Sequence, residues 1–394
     1  MKNNRTFLEK LLDGAEVKWI PLGDVADYEQ PTKYLVNSTV YNDNYPIPVL
    51  TAGKTFILGY TNEDEGIYFA SKSPVIIFDD FTTANKWVDF DFKAKSSAMK
   101  MITSKNEKFA LLKYIYYWLN TLPNNQIDGD HKRQWISNYA NKLIPIPPLS
   151  VQTEIVRILD ALTALTSELT SELTLRRKQY EYYRETLLSP DNLEQLNTGG
   201  AKKKLSDVVN IYLGLTYTPT YVENGVKFIS AQNTSNDFLD LSNTKFISRE
   251  EFEKSTSNAK PKRGDILFTR VGSNLGHPVI VDTDEDLCIF VSLGFLRVKD
   301  KNILNSYIKH WMNTNLFWKQ VEKNVHGSAK VNLNTGWLKN FEIYIPTLKE
   351  QQRIVSILDK FETLTSSITE GLPLAIEQSQ KRYEYYRELL LNFS

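Results

Sequence analysis

The string IPIPPLSVQTEIVRILD, which starts at Ile144, returns without a gap as IYIPTLKEQQRIVSILD, which starts at Ile343. Ile144 pairs with Ile343, Leu149 with Leu348, Gln152 with Gln351, and Ile155-Val156 with Ile354-Val355. Further on, KQYEYYRETLL from Lys178 matches KRYEYYRELLL from Lys381. The first two strings lie 199 residues apart and the second two 203, so the later copy carries four extra residues between the matches, near Gly371 and Pro373. The likeness also runs upstream. Leu8-Glu9, Leu11 and Gly14 recur as Leu193-Glu194, Leu196 and Gly199, and Leu22, Asp24 and Val25 recur as Leu205, Asp207 and Val208. The chain is therefore two copies of one unit of roughly 190 residues, each a globular stretch followed by a long helix.

Periodicity marks the helices. Ile155, Ile158, Leu162, Leu165, Leu169, Leu173, Arg176, Tyr180, Tyr183 and Leu187 step by three and four, with one extra four-residue step at Leu173 like a coiled-coil stutter. Arg176 is the one polar member. The second stripe is Ile354, Ile357, Phe361, Leu364, Ile368 and Leu372, then Tyr383, Tyr386 and Leu390 beyond a kink expected at Pro373. A helix from Val151 to Leu187 would be roughly 55 Å long, more than one domain needs, and reads as a spacer or assembly rod. The segments 15–147 and 203–346 mix β-rich runs (PVIIF, GDILFTRV, FLRV) with helical ones (FALLKYIYYWLN, LNSYIKHWMN) and read as two α+β domains. The boundaries expected are 1–148 for the first domain, 149–190 for its helix, 191–346 for linker and second domain, and 347–394 for the second helix.

Composition bounds the function. With 41% hydrophobic and 24% charged residues the chain is an ordinary globular protein, without long disorder. Lys and Arg total 47, as do Asp and Glu, so net charge does not decide for or against nucleic acid and local patches must. The single Cys288 excludes an internal disulfide and a cysteine-based zinc site. No apolar run has the length of a signal peptide or membrane span, so the expectation is a cytoplasmic protein with no membrane partner.

Catalytic constellations do not survive inspection. AGKT from Ala52 resembles the end of a phosphate-binding loop, but the first glycine of that loop would fall on Pro48, which has no N–H to offer. Asp282, Asp284, Glu285 and Asp286 lack the glycine and terminal glutamate of a calcium loop. His131, His277, His310 and His326 have no metal-like spacing, and no G-x-G-x-x-G opens a helix. No catalytic residue, metal or cofactor is assigned to this chain. A fused enzyme that cuts and methylates DNA itself would also need an adenine-methyltransferase motif such as N-P-P-Y, which is absent.

The globular segments do contain loops suited to reading DNA. GDILFTRVGSNLGH from Gly264 is a strand ending in Arg270 and a glycine-rich turn with Ser273, Asn274 and His277. Glycines let backbone N–H groups approach phosphates, arginine can bond guanine at two points, and asparagine adenine. HGSAKVNLNTGW offers His326, Lys330, Asn332 and Asn334 just before the second long helix, and GDHKRQWISNYAN offers His131, Lys132, Arg133 and Gln134 before the first. Lys86, Lys93, Lys95, Lys100 and Lys105 form a candidate phosphate track. The tyrosines and arginines of KQYEYYRE and KRYEYYRE, namely Tyr180, Tyr182, Tyr183 and Arg184 with Tyr383, Tyr385, Tyr386 and Arg387, are candidate partner contacts, because both residue types are enriched in interfaces. A coiled-coil scaffold that only joins partners is the competing reading, and it leaves those loops unexplained.

Over nearly its full length the chain resembles the specificity subunits of type I restriction-modification enzymes. The resemblance is carried by the doubled IPxPxLxxQxxIVxILD pattern, by the opening WIPLGDVADYEQ, and by RGDILFTRVGSNLG. The first domain has PVIIFDDFTTANKW from Pro74 where the second has Arg270 and its glycine turn, which leaves its base contacts open. The resemblance implies an α+β fold with two similar target-recognition domains separated by two long antiparallel coiled-coil helices, related by a pseudo-twofold. It implies a non-catalytic subunit that reads one half of a bipartite double-stranded DNA target with each domain and fixes the gap with its helices. It further implies two modification subunits that use S-adenosylmethionine, and restriction subunits that use ATP and Mg.

Overall fold

The computed structural model describes residues 7–53, 55–123, 133–196, 199–272, 274–324, 332–367 and 369–393. Its principal helices are α1 (Leu112–Leu119), α2 (Leu149–Leu187), α3 (Asn305–Met312), α4 (Asn315–Asn324), α5 (Leu348–Ser366) and α6 (Leu372–Leu391). Its principal strands are β1 (Ala26–Glu29), β2 (Val75–Asp79), β3 (Asn85–Val88), β4 (Met99–Ser104), β5 (Val209–Leu213), β6 (Ile266–Thr269), β7 (Pro278–Ile280) and β8 (Leu293–Val298). The chain divides into two compact units, Met1–Glu168 with Ile376–Ser394, and Leu169–Ala375. The long helices are thus not a body of their own, because each unit takes part of α2 and a stretch of the second helical region into its contacts.

Both units use one plan. A four-stranded antiparallel sheet has the order β1-β4-β2-β3 in unit 1 and β5-β8-β6-β7 in unit 2. A smaller sheet beside it contains one parallel pair, Ile47–Leu50 with Lys93–Ala94 in unit 1 and Val226–Ile229 with Leu287–Ile289 in unit 2. Two short strands close each globular segment. Lys18–Pro21 pairs with Leu143–Ile146, and Ala201–Lys204 with Glu342–Ile345. Chain entry and exit therefore meet, and the exit strand feeds the long helix within a few residues.

The repeated motif now has a physical account. Gln152 and Gln351 are fully buried. Gln152 accepts from the Leu111 N–H at 2.9 Å and donates to the Phe109 and Pro147 carbonyls, both at 2.9 Å. Gln351 accepts from the Leu304 N–H at 2.9 Å and donates to the Asn302 and Pro346 carbonyls at 3.1 and 2.9 Å. Each glutamine thereby satisfies three backbone groups where the short helix α1 or α3 meets the start of the long one, groups that would be costly to bury unpaired. The isoleucines and leucines around them, Ile155 and Leu159 or Ile354 and Leu358, fill the main core of their unit.

The helix seams differ from the sequence expectation in register. In α2 an unbroken alternation of four and three, with no stutter, runs through half-buried or buried positions at Ile155, Leu159, Leu162, Thr166, Leu169, Leu173, Arg176 and Tyr180. Ile158 is only half-buried and Leu165 is exposed. Leu165, Leu169 and Leu173 recur every four residues, so they precess around a helix of 3.6 residues per turn, and the seam passes to Thr166. Thr166 Oγ1 meets Ser379 Oγ at 2.8 Å across the antiparallel α2/α6 pair of unit 1. In unit 2, α2 runs antiparallel to α5, with Tyr180 and Tyr183 stacked on Phe361 and Arg177 donating to the Thr365 carbonyl at 3.4 Å.

The kink expected at Pro373 is instead a break before it. α5 ends at Ser366, Gly371 adopts φ 88, and Pro373 sits in the first turn of α6, where its missing N–H costs nothing. A Cβ on Gly371 would come within 2.5 Å of the Thr363 carbonyl oxygen. The four extra residues of the second copy are thus absorbed as a helix break. Ile368 lies outside the described residues.

Candidate nucleic-acid interface

The registers align the two units residue by residue. Ala26 stands opposite Ser104 and Ile76 opposite Ile102 in unit 1, while Val209 stands opposite Val298 and Ile266 opposite Leu296 in unit 2. Val25 and Val208 being equivalent, Ile76 corresponds to Ile266 and Asp80 to Arg270. These two residues directly follow equivalent strands and anchor equivalent segments. The Asp80 carbonyl accepts from the Gln134 N–H at 2.8 Å, and the Arg270 carbonyl from the Leu333 N–H at 3.0 Å. Asp80 Oδ1 then takes the Trp135 N–H at 2.8 Å, whereas Arg270 donates Nη1 to the Val291 carbonyl at 3.0 Å and Nε to the Leu333 carbonyl at 3.5 Å. An acid in one unit and a base in the other dock the loop that precedes a short helix. Arg270, expected as a guanine contact, thus has a half-buried guanidinium, lowered in pKa by that burial, with Nη1 and Nε turned to carbonyl oxygens.

The glycine turn after Arg270 is tied down in the same way. Asn274 Nδ2 donates to the Ser235 carbonyl at 3.1 Å, and His277 Nε2 lies 2.9 Å from the Asn236 carbonyl oxygen. Asn332 is exposed beside Val271, with which it forms a β-bridge, and Asn334 caps its short helix by accepting from the Gly336 N–H at 2.7 Å. In unit 1 Arg133 is exposed and Gln134 half-buried at the start of the docked segment. His131, Lys132, Ser273, His326 and Lys330 lie outside the described residues.

The phosphate track does not hold at two positions. Lys93 is buried, its ammonium 3.0 Å from Glu63 Oε2 and 2.5 Å from the Glu65 carbonyl, so it neutralises an internal carboxylate and cannot meet a phosphate. Lys100 is likewise buried, 3.6 Å from Asp80 and over the Tyr28 ring. Lys105 reaches the Gly23 carbonyl at 2.5 Å, and Lys95 remains half-exposed.

The YEYYRE strings separate into core and surface. Tyr180 is buried, its hydroxyl 3.2 Å from His310 Nδ1, and Tyr383 is half-buried against Tyr117. Arg184 and Arg387 cover the Tyr180 and Tyr383 rings, at 5.3 and 5.7 Å. Tyr183 packs on Phe361 and Tyr386 belongs to the unit 1 core. Only Tyr182 and Tyr385 stand well out, 65% and 62% exposed, each edge-on to the next tyrosine. As a partner contact Tyr180 is therefore corrected to a core residue, since a ring buried inside its own unit offers no surface, while Tyr383 keeps part of its ring exposed.

Folding also assembles groups that lie far apart in sequence. His310 Nε2 is 2.7 Å from Asp359 Oδ1, and Lys309 Nζ 2.7 Å from Glu362 Oε1. The three potential ligands His310, Asp359 and Glu362 converge, but each is already paired with a protein group. The arrangement is a polar network with His310 buried at its base and Asp359 reaching solvent. Asp160, equivalent to Asp359, accepts from the Tyr117 hydroxyl and lies 3.5 Å from Lys113, so the aspartate of both ILD strings binds the short helix to the long one.

Two equivalent units, each presenting a docked loop pair at the end of the same strand, define a two-headed binding protein. The family of the type I restriction modification DNA specificity domain matches residues 15–175 and 199–378, and the chain belongs to that family. It is 50% identical to the type I restriction enzyme EcoR124I/EcoR124II specificity subunit of Escherichia coli, over 98% of this chain and 97% of that one. It is 39% identical to the putative type I restriction enzyme specificity subunit S.HindORF215P of Haemophilus influenzae, over the whole of both chains. The S subunit of a type I restriction-modification system from M. genitalium shares the fold, with a TM-score of 0.63 at 13% identity over 97% of this chain and 98% of that one. Among the described residues no helix is long and apolar enough to cross a membrane.

Proposed function

We propose that this chain is the DNA-reading subunit of a type I restriction-modification enzyme, in which unit 1 reads one half of a bipartite target and unit 2 the other. The observation that supports it most is the equivalence of the two docked loop pairs, at Asp80 with 134–135 and at Arg270 with 333. Two heads of one design on one chain suit a target with two separate halves. Arg133, Asn332 and the 270–277 turn, with Asn274, supply the polar side chains and backbone N–H groups for base edges and phosphates. The subunit itself is not a catalyst.

Tyr182 and Tyr385, exposed at equivalent places on α2 and α6, mark two similar docking surfaces for two modification subunits. Those partners would bring S-adenosylmethionine, and restriction subunits ATP and Mg, in the cytoplasm. Sequencing of methylated adenines in cells that express the chain with its modification subunit tests the reading. A two-part motif with a fixed gap is expected, and a single undivided motif would overturn it. A scaffold that merely joins partners would give no motif of its own.

A further inference from the structure

One hairpin of unit 1 carries features that packing does not explain. The turn between β2 and β3 contains Phe81, Thr82, Thr83 and Ala84, and Thr83 adopts φ 64. A β-branched residue in the left-handed region is strained by about 1–2 kcal/mol. Its hydroxyl is buried without a hydrogen-bond partner among the described residues, and so is Asn85 Oδ1. The equivalent turn of unit 2 uses Gly272 at φ 122 and Gly276 at φ 71, which adopt such angles freely. Unit 1 therefore keeps a strained, incompletely satisfied turn where glycine would serve, and such sites cluster at ligand contacts.

The turn is held by Asp79, whose Oδ1 accepts from the Phe81 N–H at 2.9 Å and the Thr82 N–H at 3.2 Å. What is displayed is Phe81, 41% exposed. Ile136, 58% exposed, lies on the neighbouring docked segment, since Phe81 and Ile136 each follow directly on a partner in the Asp80–Trp135 hydrogen bond. Two large apolar side chains thus stand in water at the edge where polar contacts were expected. The apolar feature of the DNA major groove is the 5-methyl group of thymine.

We propose that Phe81, seconded by Ile136, is a specificity-determining contact of unit 1 and packs on a thymine methyl in the half-site that this unit reads. The proposal rests on the reading of unit 1 as one of two heads. It is tested with the chain in complex with its modification subunits, on duplexes carrying the motif found by methylome sequencing, in which each thymine is replaced in turn by deoxyuridine. The wild-type complex should lose about fourfold in affinity at one or more thymines of one half-site, the worth of one buried methyl group. The Phe81→Ala complex should bind the unmodified duplex at least as weakly and be indifferent to those same replacements, while Phe81→Leu keeps part of the sensitivity. Wild-type affinity unchanged by every replacement would overturn the proposal, as would sensitivity retained in Phe81→Ala. Failure of the wild-type complex to prefer the motif over random duplex would instead overturn the two-headed reading beneath it.

Discussion

Gln152 and Gln351 show what a single repeated residue can be for. Replacing either by leucine keeps the volume but leaves three buried backbone groups unpaired, at a cost of roughly 1–3 kcal/mol for each group that water cannot reach. Gln152→Leu should therefore lower the melting temperature by several degrees, and equal melting of variant and wild type would show that water or a backbone shift satisfies them. Thr83→Gly should act in the opposite direction. It removes both the left-handed strain and the orphaned hydroxyl, so thermal unfolding should shift upward, and a downward shift would mean that the turn is not strained. Cys288 is buried beside Ser255, and burial pushes its thiol up to about 11, so at pH 8 iodoacetamide should label it only after denaturation. At this scale the sequence was a partial guide. The pairing of the glutamines was visible as a repeat, but their bonds join residues some 40 positions apart, and nothing local announces them. Lys93 misled for the same reason, since its partner Glu63 follows the strand Ile57–Thr61, which reaches Lys93 through the strand Ile47–Leu50 that pairs with both.

The elements were more legible than their surfaces. Periodicity found both long helices, because a stripe of leucines and isoleucines with a spacing of three and four has few other outcomes. It missed the seam by one position, since the rule weighs only apolar residues and the seam uses Thr166 and Ser379. Thr166→Val with Ser379→Ala exchanges a polar pair for apolar contact. Measured as a double-mutant cycle, the two changes should couple by about 0.5–1.5 kcal/mol, and purely additive effects would mean that the hydroxyls do not bond. The helix break was likewise misplaced at Pro373, although the four-residue length difference between the copies had already located the disturbance. Gly371→Ala tests the break directly. With φ 88 and a carbonyl oxygen 2.5 Å from the new Cβ, it should destabilise by about 1–2 kcal/mol, read from denaturant midpoints, whereas Pro373→Ala should be nearly silent. The loop interiors stayed illegible. Docking by an acid in one unit and a base in the other leaves no shared residue for a repeat search to find.

At the scale of the whole molecule, the division into two units with matching sheets and separate cores predicts that specificity is modular. Replacing residues 203–345 by the equivalent domain of a relative should change one half of the methylated motif and leave the other half and the gap intact. A change in both halves would mean that the heads read DNA jointly. The converse experiment alters the helix alone. α2 is one continuous helix of 39 residues whose earlier part packs in unit 1 and whose later part packs in unit 2. Four residues inserted near Leu169 lengthen it by roughly 6 Å and rotate its later part by about 40°. A rotation of that size is small beside a full turn, so an inserted block with apolar residues at seam spacing keeps both flanking seams close to their present faces. Six ångströms is close to two base pairs at about 3.4 Å each. The motif from such a variant should keep both halves and widen its gap, and a motif with altered bases and an unaltered gap would show that α2 does not set the spacing.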